Sequence, residues 1–401
     1  MKLGGVRDGT VYGTHGLDVG TWSADDGFLT LGSLPNPESG GEKLRFDAMN
    51  RRAPKRLLRP LTGLYTTANV WPLGDDQLLA TVSRWLFRSP DGGRSWTVVH
   101  ELPASSGPMG VLPTALCEHR GRVYLAEYPL GDEPARVLES DDGGRTWSPL
   151  VERTDVRHFH GLFADPYGDR LWATTGDTDT ESAIGVLSAD GFEAIGSGSQ
   201  RWRAVGLAFT PAAILWGVDS SYTDRSAILR LPRERLDDSD PEPETLATTA
   251  CPVYYAETVD RPDEHWLVVS TTSTGRIDST APAGVERNTC DGVARVLAAS
   301  SASDYEDWYE LYATERRDAV GEHVDAVPSS NGYLFLATDP ERGLLINPYN
   351  TTDDNGEIVT IPPAAFDERA FRQDTDTCAD GDGNDGIDRA ADTDGTARTR
   401  R

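Results

Sequence analysis

Between its turn signals the chain reads as a succession of short β-strands. GRVYLAEY over 121–128, DRLWATT over 169–175, AILWGV over 213–218 and HWLVVS over 265–270 are the clearest, each preceded by a Gly, Pro or Asp turn. Apolar runs are short throughout, and none approaches the roughly 18 residues that a membrane-spanning helix needs.

Two of the turns repeat in full. SPDGGRSW over 89–96 and SDDGGRTW over 140–147 both fit S-x-D-x-G-x-[ST]-W, and they start one four-stranded propeller blade apart. Degenerate copies begin at Ser23 and Ser188, with poorer ones around Asp304 and Asp339. The residue types suit a tight corner: Ser and Asp side chains accept local amide bonds, Gly supplies positive φ, and Trp packs down between strands. Corners between third and fourth strands are expected near residues 25, 91, 142, 190, 233, 304 and 340.

The motif resembles the Asp-box, or bacterial neuraminidase repeat, of the sialidase-like superfamily. The resemblance implies an all-β chain forming a single β-propeller, of seven four-stranded blades with six as the alternative, and boxes on the side away from the active site. It is poor in functional content, because Asp-boxes occur in sialidases, other glycosidases, lyases, sorting receptors and photosystem assembly factors. The propeller is expected over 1–366, with a basic loop near 35–60 leaving it. An Asp-, Thr- and Gly-rich segment over 367–401 has too few apolar residues to fold and is expected to be an acidic disordered tail.

Charge narrows the partners. There are 38 Lys plus Arg against 65 Asp plus Glu, a net charge of −27, and the only lysines are Lys2, Lys43 and Lys55. An acidic, lysine-poor surface suits a halophilic protein working in concentrated salt, where repulsion is screened within about 3 Å at 1 M. An acidic surface for a basic partner is the rival reading. Nucleic acid is excluded as a partner on electrostatic grounds. Cys117, Cys251, Cys290 and Cys378 are scattered with no C-x-x-C pair, so free thiols are expected. The start MKLGGVRDGT has no signal-peptide apolar region. A cytoplasmic monomer is the default expectation, with an extracellular place as the alternative.

Candidate chemistry gathers on first strands, which line the channel of a propeller. In RHFHGL over 157–162, alternation puts His158 and His160 on one face and Phe159 on the other. Two histidines so spaced can share a metal or handle a sugar's proton. Asp177 follows the next strand, Trp202 and Arg203 open the following blade, and Asp219 ends that blade's second strand. Tyr254, Tyr255 and His323 sit on later candidate first strands. His158, His160, Asp177, Asp219 and Tyr255 are the expected catalytic groups; Arg203, Trp202, Tyr254 and His323 are the expected substrate-binding ones. One divalent metal ion on His158, His160 and His323 is a possible cofactor. Each has a plainer reading: capped turns for the aspartates, core for Trp202, ordinary strand formers for the tyrosines.

The stretch from His158 to Asp219 also resembles Asp-box propellers of unassigned function from bacterial surface-polysaccharide gene neighbourhoods. The shared pattern is H-x-H-G at His158, D-P-Y at Asp165, W-x-T-T-G-D at Trp172, Q-x-W-R-A-V-G at Gln200 and W-G-x-D-S at Trp216. That implies a sugar context and no particular reaction. Sialidases need an arginine triad and an R-I-P motif; the nearest text is Arg52-Ala53-Pro54, with Tyr254 and Glu257 as a nucleophile pair and no triad. The histidine-rich centre is more similar to propeller polysaccharide lyases. The expectation is a glycoside hydrolase or polysaccharide lyase acting on an acidic oligo- or polysaccharide. A non-catalytic glycan- or protein-binding propeller and an assembly-factor-like propeller are the alternatives. A calcium-like run from Asp380 lacks the glycine and the final carboxylate of such a loop and reads as solvated tail.

Overall fold

The computed structural model describes residues 1–50, 68–220, 223, 225–262, 264–274, 290–317 and 331–367. The chain is an all-β propeller of seven blades, each an antiparallel meander of consecutive strands. They span 2–33, 69–101, 116–153, 159–197, 207–249, 253–315 and 333–361. Six sheets have four strands and the last has three among the described residues. Two compact units result. Among the described residues, one lies within 1–203, with blades one to four; the other lies within 204–317 and 331–367, with blades five to seven.

Each unit has its own core. In the first, Leu79, Leu86, Leu125, Val137, Phe159 and Ala173 lie in one buried cluster, and Val19, Val70, Leu78 and Phe87 in another. In the second, Leu215, Val253, Leu267 and Leu297 make one cluster, and Trp266, Val268, Leu344 and Phe366 the next.

The full repeat turns are held mainly by their own residues, with outside bonds from the Gly92 amide to the Asp76 carbonyl at 2.8 Å and from Arg88 Nε to the Gly143 carbonyl at 2.7 Å. In the first, Ser89 Oγ donates to Asp91 Oδ1 at 2.8 Å and accepts from the Gly93 amide at 2.8 Å. Asp91 accepts from the Ser95 amide at 2.9 Å and the Ser95 hydroxyl at 2.7 Å, and Trp96 Nε1 donates to the Gly93 carbonyl at 2.9 Å. The turn over 140–147 repeats these bonds through Ser140, Asp142, Gly144, Thr146 and Trp147. Hydrogen bonds from Ser95 hold the Asp91 carboxyl down at about 2. The paired glycines are required: Gly92 and Gly93 have φ of 70° and 89°, and Gly143 and Gly144 of 68° and 78°.

Six of the seven expected corners join third to fourth strands. The one near 340 instead joins Tyr333–Asp339 to Gly343–Tyr349, the first two of three described strands. A Gly-containing turn marks a corner but does not say which strands meet there. Where the sequence suggested a basic loop near 35–60, Gly40–Asn50 is an α-helix with Phe46 buried. Its many charges read as loop, yet Glu, Lys, Leu, Arg, Ala and Met are all good helix formers. Residues 51–67 and the expected tail beyond 367 lie outside the described residues. The expectation of free thiols is corrected: Cys251 and Cys290 form a disulfide, their Cα atoms 4.8 Å apart. Their separation of 39 residues gave no hint of it. Cys117 is free, and Cys378 is outside the described residues. No described helix is long and apolar enough to cross a membrane.

One irregularity recurs and positions side chains. In blade four the pairing of first and second strands slips between Phe159 and Gly161, so His160 sits in a bulge. In blade six it slips between Val253 and Tyr255, which puts Tyr254 in a bulge. Bulges bend a strand and re-aim the residues they carry.

Candidate functional site

The first unit contains a buried charged centre organised by Asp177. This residue lies just past the strand Leu171–Thr175, with a φ of 132° that an L side chain rarely adopts. Its carbonyl accepts from Arg203 Nη1 at 2.9 Å and from Gln200 Nε2 at 3.3 Å, which secures the strained backbone. Its carboxylate faces four cationic or imidazole groups. Arg157 Nη1 is 3.1 Å from Oδ2 and Arg203 Nη2 is 3.3 Å from Oδ1. His158 Nε2 is 3.4 Å from Oδ2 and His160 Nε2 is 3.6 Å from Oδ1.

The histidines are placed by neighbouring blades. His158, just ahead of the strand Phe159–Ala164, directs Nδ1 to the Pro129 carbonyl at 3.2 Å. That contact fixes a neutral His158 as the Nδ1–H tautomer and leaves Nε2 turned to Asp177. Tyr128 stacks on the His158 ring at 3.7 Å between centroids, and the two imidazoles are 5.2 Å apart. Thr114 donates to the carbonyl of His160 at 2.7 Å, holding the bulge. Gly176 is needed for space: a Cβ there would lie 2.5 Å from His160 Cε1 and 3.0 Å from Arg203 Cγ. Both histidines are 1% exposed, while Arg157 and Tyr128 are half-buried and form the side open to solvent.

Burial works against charging Asp177. The hydrogen bonds and charges of His158 and His160 outweigh it and hold the carboxyl well below the usual range. Burial pushes the His160 imidazole down to about 4, against the pull of Asp177. Near neutral pH the centre therefore pairs an ionised carboxylate and two guanidiniums with a neutral His160 that can accept a proton. His158, His160 and Asp177 also offer three ligand atoms within 4.8 Å of one another, a donor set suited to a divalent metal. Arg157 and Arg203 already supply positive charge to that carboxylate, so an ion fits only if Asp177 turns from them.

Of the residues expected from sequence, His158, His160, Asp177 and Arg203 come together here. Trp202 is buried, its ring against Gly196, where a Cβ would lie 2.1 Å from it. Asp219, Tyr254 and Tyr255 belong to the second unit, where Asp219 is 6% exposed after the strand Ala213–Gly217. His323 lies outside the described residues. Tyr128, Arg157 and Gln200 are the participants that sequence reasoning missed. Arg157 adjoins the histidine pair and Gln200 the expected arginine, so adjacency was the available signal for both; Tyr128 comes from another blade and had none.

No protein-family model matches the sequence, and no curated protein matches it. Solved structures match by shape. An ancestral GH74 enzyme aligns with a TM-score of 0.50 at 11% identity, over 90% of this chain and 45% of its own. The chain thus spans less than half of that enzyme. A glucose dehydrogenase aligns at 0.41 and 12%, over 67% of this chain and 92% of its own. A putative exo-β-1,3-galactanase from Bifidobacterium bifidum aligns at 0.31 and 13%, over 51% and 81%. At such identity the likeness is one of fold alone.

Proposed function

We propose that the chain is a carbohydrate-active propeller that works on an acidic glycan at the Asp177 centre, by β-elimination beside a uronate. The observation that carries this reading is a carboxylate held by two guanidiniums next to a neutral imidazole. Hydrolysis by two carboxyls needs one that carries a proton, and Asp177, paired with Arg157 and Arg203, is a poor carrier. Elimination needs what is present: arginine to neutralise the uronate and an imidazole to take the proton beside it. His160 removes that ring proton, the electron pair forms a carbon–carbon double bond, and the neighbouring glycosidic C–O bond breaks. Tyr128, stacked on His158, is the candidate donor to the leaving oxygen.

The test is incubation with uronate polysaccharides in molar salt, with products read by mass and ultraviolet absorbance. An unsaturated end is expected, and His160→Ala should lower turnover about a hundredfold or more. A product with added water, or unchanged turnover in His160→Ala, overturns the mechanism. Glycan retained without product would make this a binding propeller.

The three clustered ligand atoms favour a second reading, a divalent ion on His158, His160 and Asp177. Loss of activity on chelation, with metal recovered from the purified protein, would select it. We further read the turns over 89–96 and 140–147 as Asp-boxes and the acidic composition as halophilic. The Cys251–Cys290 bridge supports a working place outside a reducing cytoplasm.

A further inference from the structure

A second cluster, in the unit that begins at Ala204, has a different chemistry. At the start of the first strand of blade six, Val253–Arg261, Tyr254 and Tyr255 meet Tyr333 and Phe335 of blade seven. Ring centroids run 6.2 Å from Tyr254 to Tyr255 and 5.4 Å from Tyr255 to Phe335. They continue 5.7 Å from Phe335 to Tyr333 and 5.8 Å from Tyr333 back to Tyr254. The four rings close a circuit. Tyr255 and Phe335 are buried, whereas Tyr254 and Tyr333 keep part of their surface in solvent. Glu257 follows Tyr255 at strand spacing, on the same face. It is half-buried, and among the described residues its carboxyl has neither a hydrogen bond nor an ion pair. Burial alone pushes it up to about 7.

The rings and the Glu257 carboxyl contribute negative potential here, while the Arg316 side chain lies against Gly332 beside Tyr333. Aromatic faces carry negative quadrupole density, and an ionised carboxylate beside them adds to it. The net charge of −27 deepens the same field. Among the described residues, the groups of three or more clustered metal donors do not include Glu257. A poorly hydrated organic cation finds what it needs, because its methyl groups lie against ring faces within about 6 Å of the centroids. Its charge also meets a carboxylate that has no ion pair among the described residues.

We propose that Tyr254, Tyr255, Tyr333 and Phe335, with Glu257, form a binding site for the alkylated ammonium group of a small quaternary amine. The site stands independently of the Asp177 centre, and neither fails with the other.

Calorimetric titration of the full chain with choline and with its uncharged carbon isostere, 3,3-dimethylbutan-1-ol, tests this directly. Choline should bind saturably and the isostere roughly tenfold more weakly or worse. Glu257→Gln and Tyr254→Leu should each weaken choline binding severalfold while still unfolding in one cooperative transition. Absence of saturable choline binding, or equal binding of the isostere, overturns the proposal on the wild-type protein alone. Wild-type affinity in both variants overturns it as well.

Discussion

Blades four and six start alike and diverge in content. Each begins its first strand with a bulge, at His160 in one and at Tyr254 in the other. The bulge of blade four aims imidazoles at a carboxylate clamped by arginines; that of blade six carries tyrosines beside a lone carboxyl. Their anchors differ too. The first is tied by ion pairs and main-chain bonds around Asp177. The second follows directly on Cys251, which is fixed covalently to Cys290. One backbone device thus serves two chemistries, and the side chains, with what holds them, set the difference.

The sharpest way to break the comparison is to remove the ionic anchor. Asp177→Ala removes the buried carboxylate that Arg157 and Arg203 pair with, which costs about 3–5 kcal/mol. Denaturant unfolding should show the loss. Removing the covalent anchor comes next. Cys251→Ser, or reductant on the wild type, should lower stability by about 2–4 kcal/mol, and a Tm insensitive to reductant would deny the bridge. The smallest effect separates the two carboxyls by pH. Glu257 is raised from 4.5 to about 7, so the folded state binds its proton more tightly than the unfolded state. Its contribution is complete below the unfolded value and is lost as pH rises through the folded one. Tm should therefore decline across that window, and Glu257→Gln should flatten this part of the profile.

Sequence carried the fold further than the site. The repeat turns were legible because Ser89, Asp91, Gly93 and Trp96 bond only to one another's neighbourhood, so their chemistry is complete within eight letters. His158 and His160 were legible through strand alternation, and Asp177 and Arg203 through turns beside it. Tyr128 was not, because stacking on His158 depends on how two blades pack. The disulfide hid for the same reason, since Cys251 and Cys290 lie either side of the hairpin of Val253–Arg261 and Glu264–Thr271, and no spacing rule describes that. Glu257 was visible as a letter, but its lack of a partner is a property of the folded surroundings.

The bridge between Cys251 and Cys290 also makes the intervening chain a covalent ring. That ring includes the strand Glu264–Thr271, which pairs with both of its neighbours in blade six. A protease that cut once within it would open the ring without releasing a fragment. The nicked chain would keep its mass until reduced, so for this part of the molecule cleavage and loss of the polypeptide are separate events.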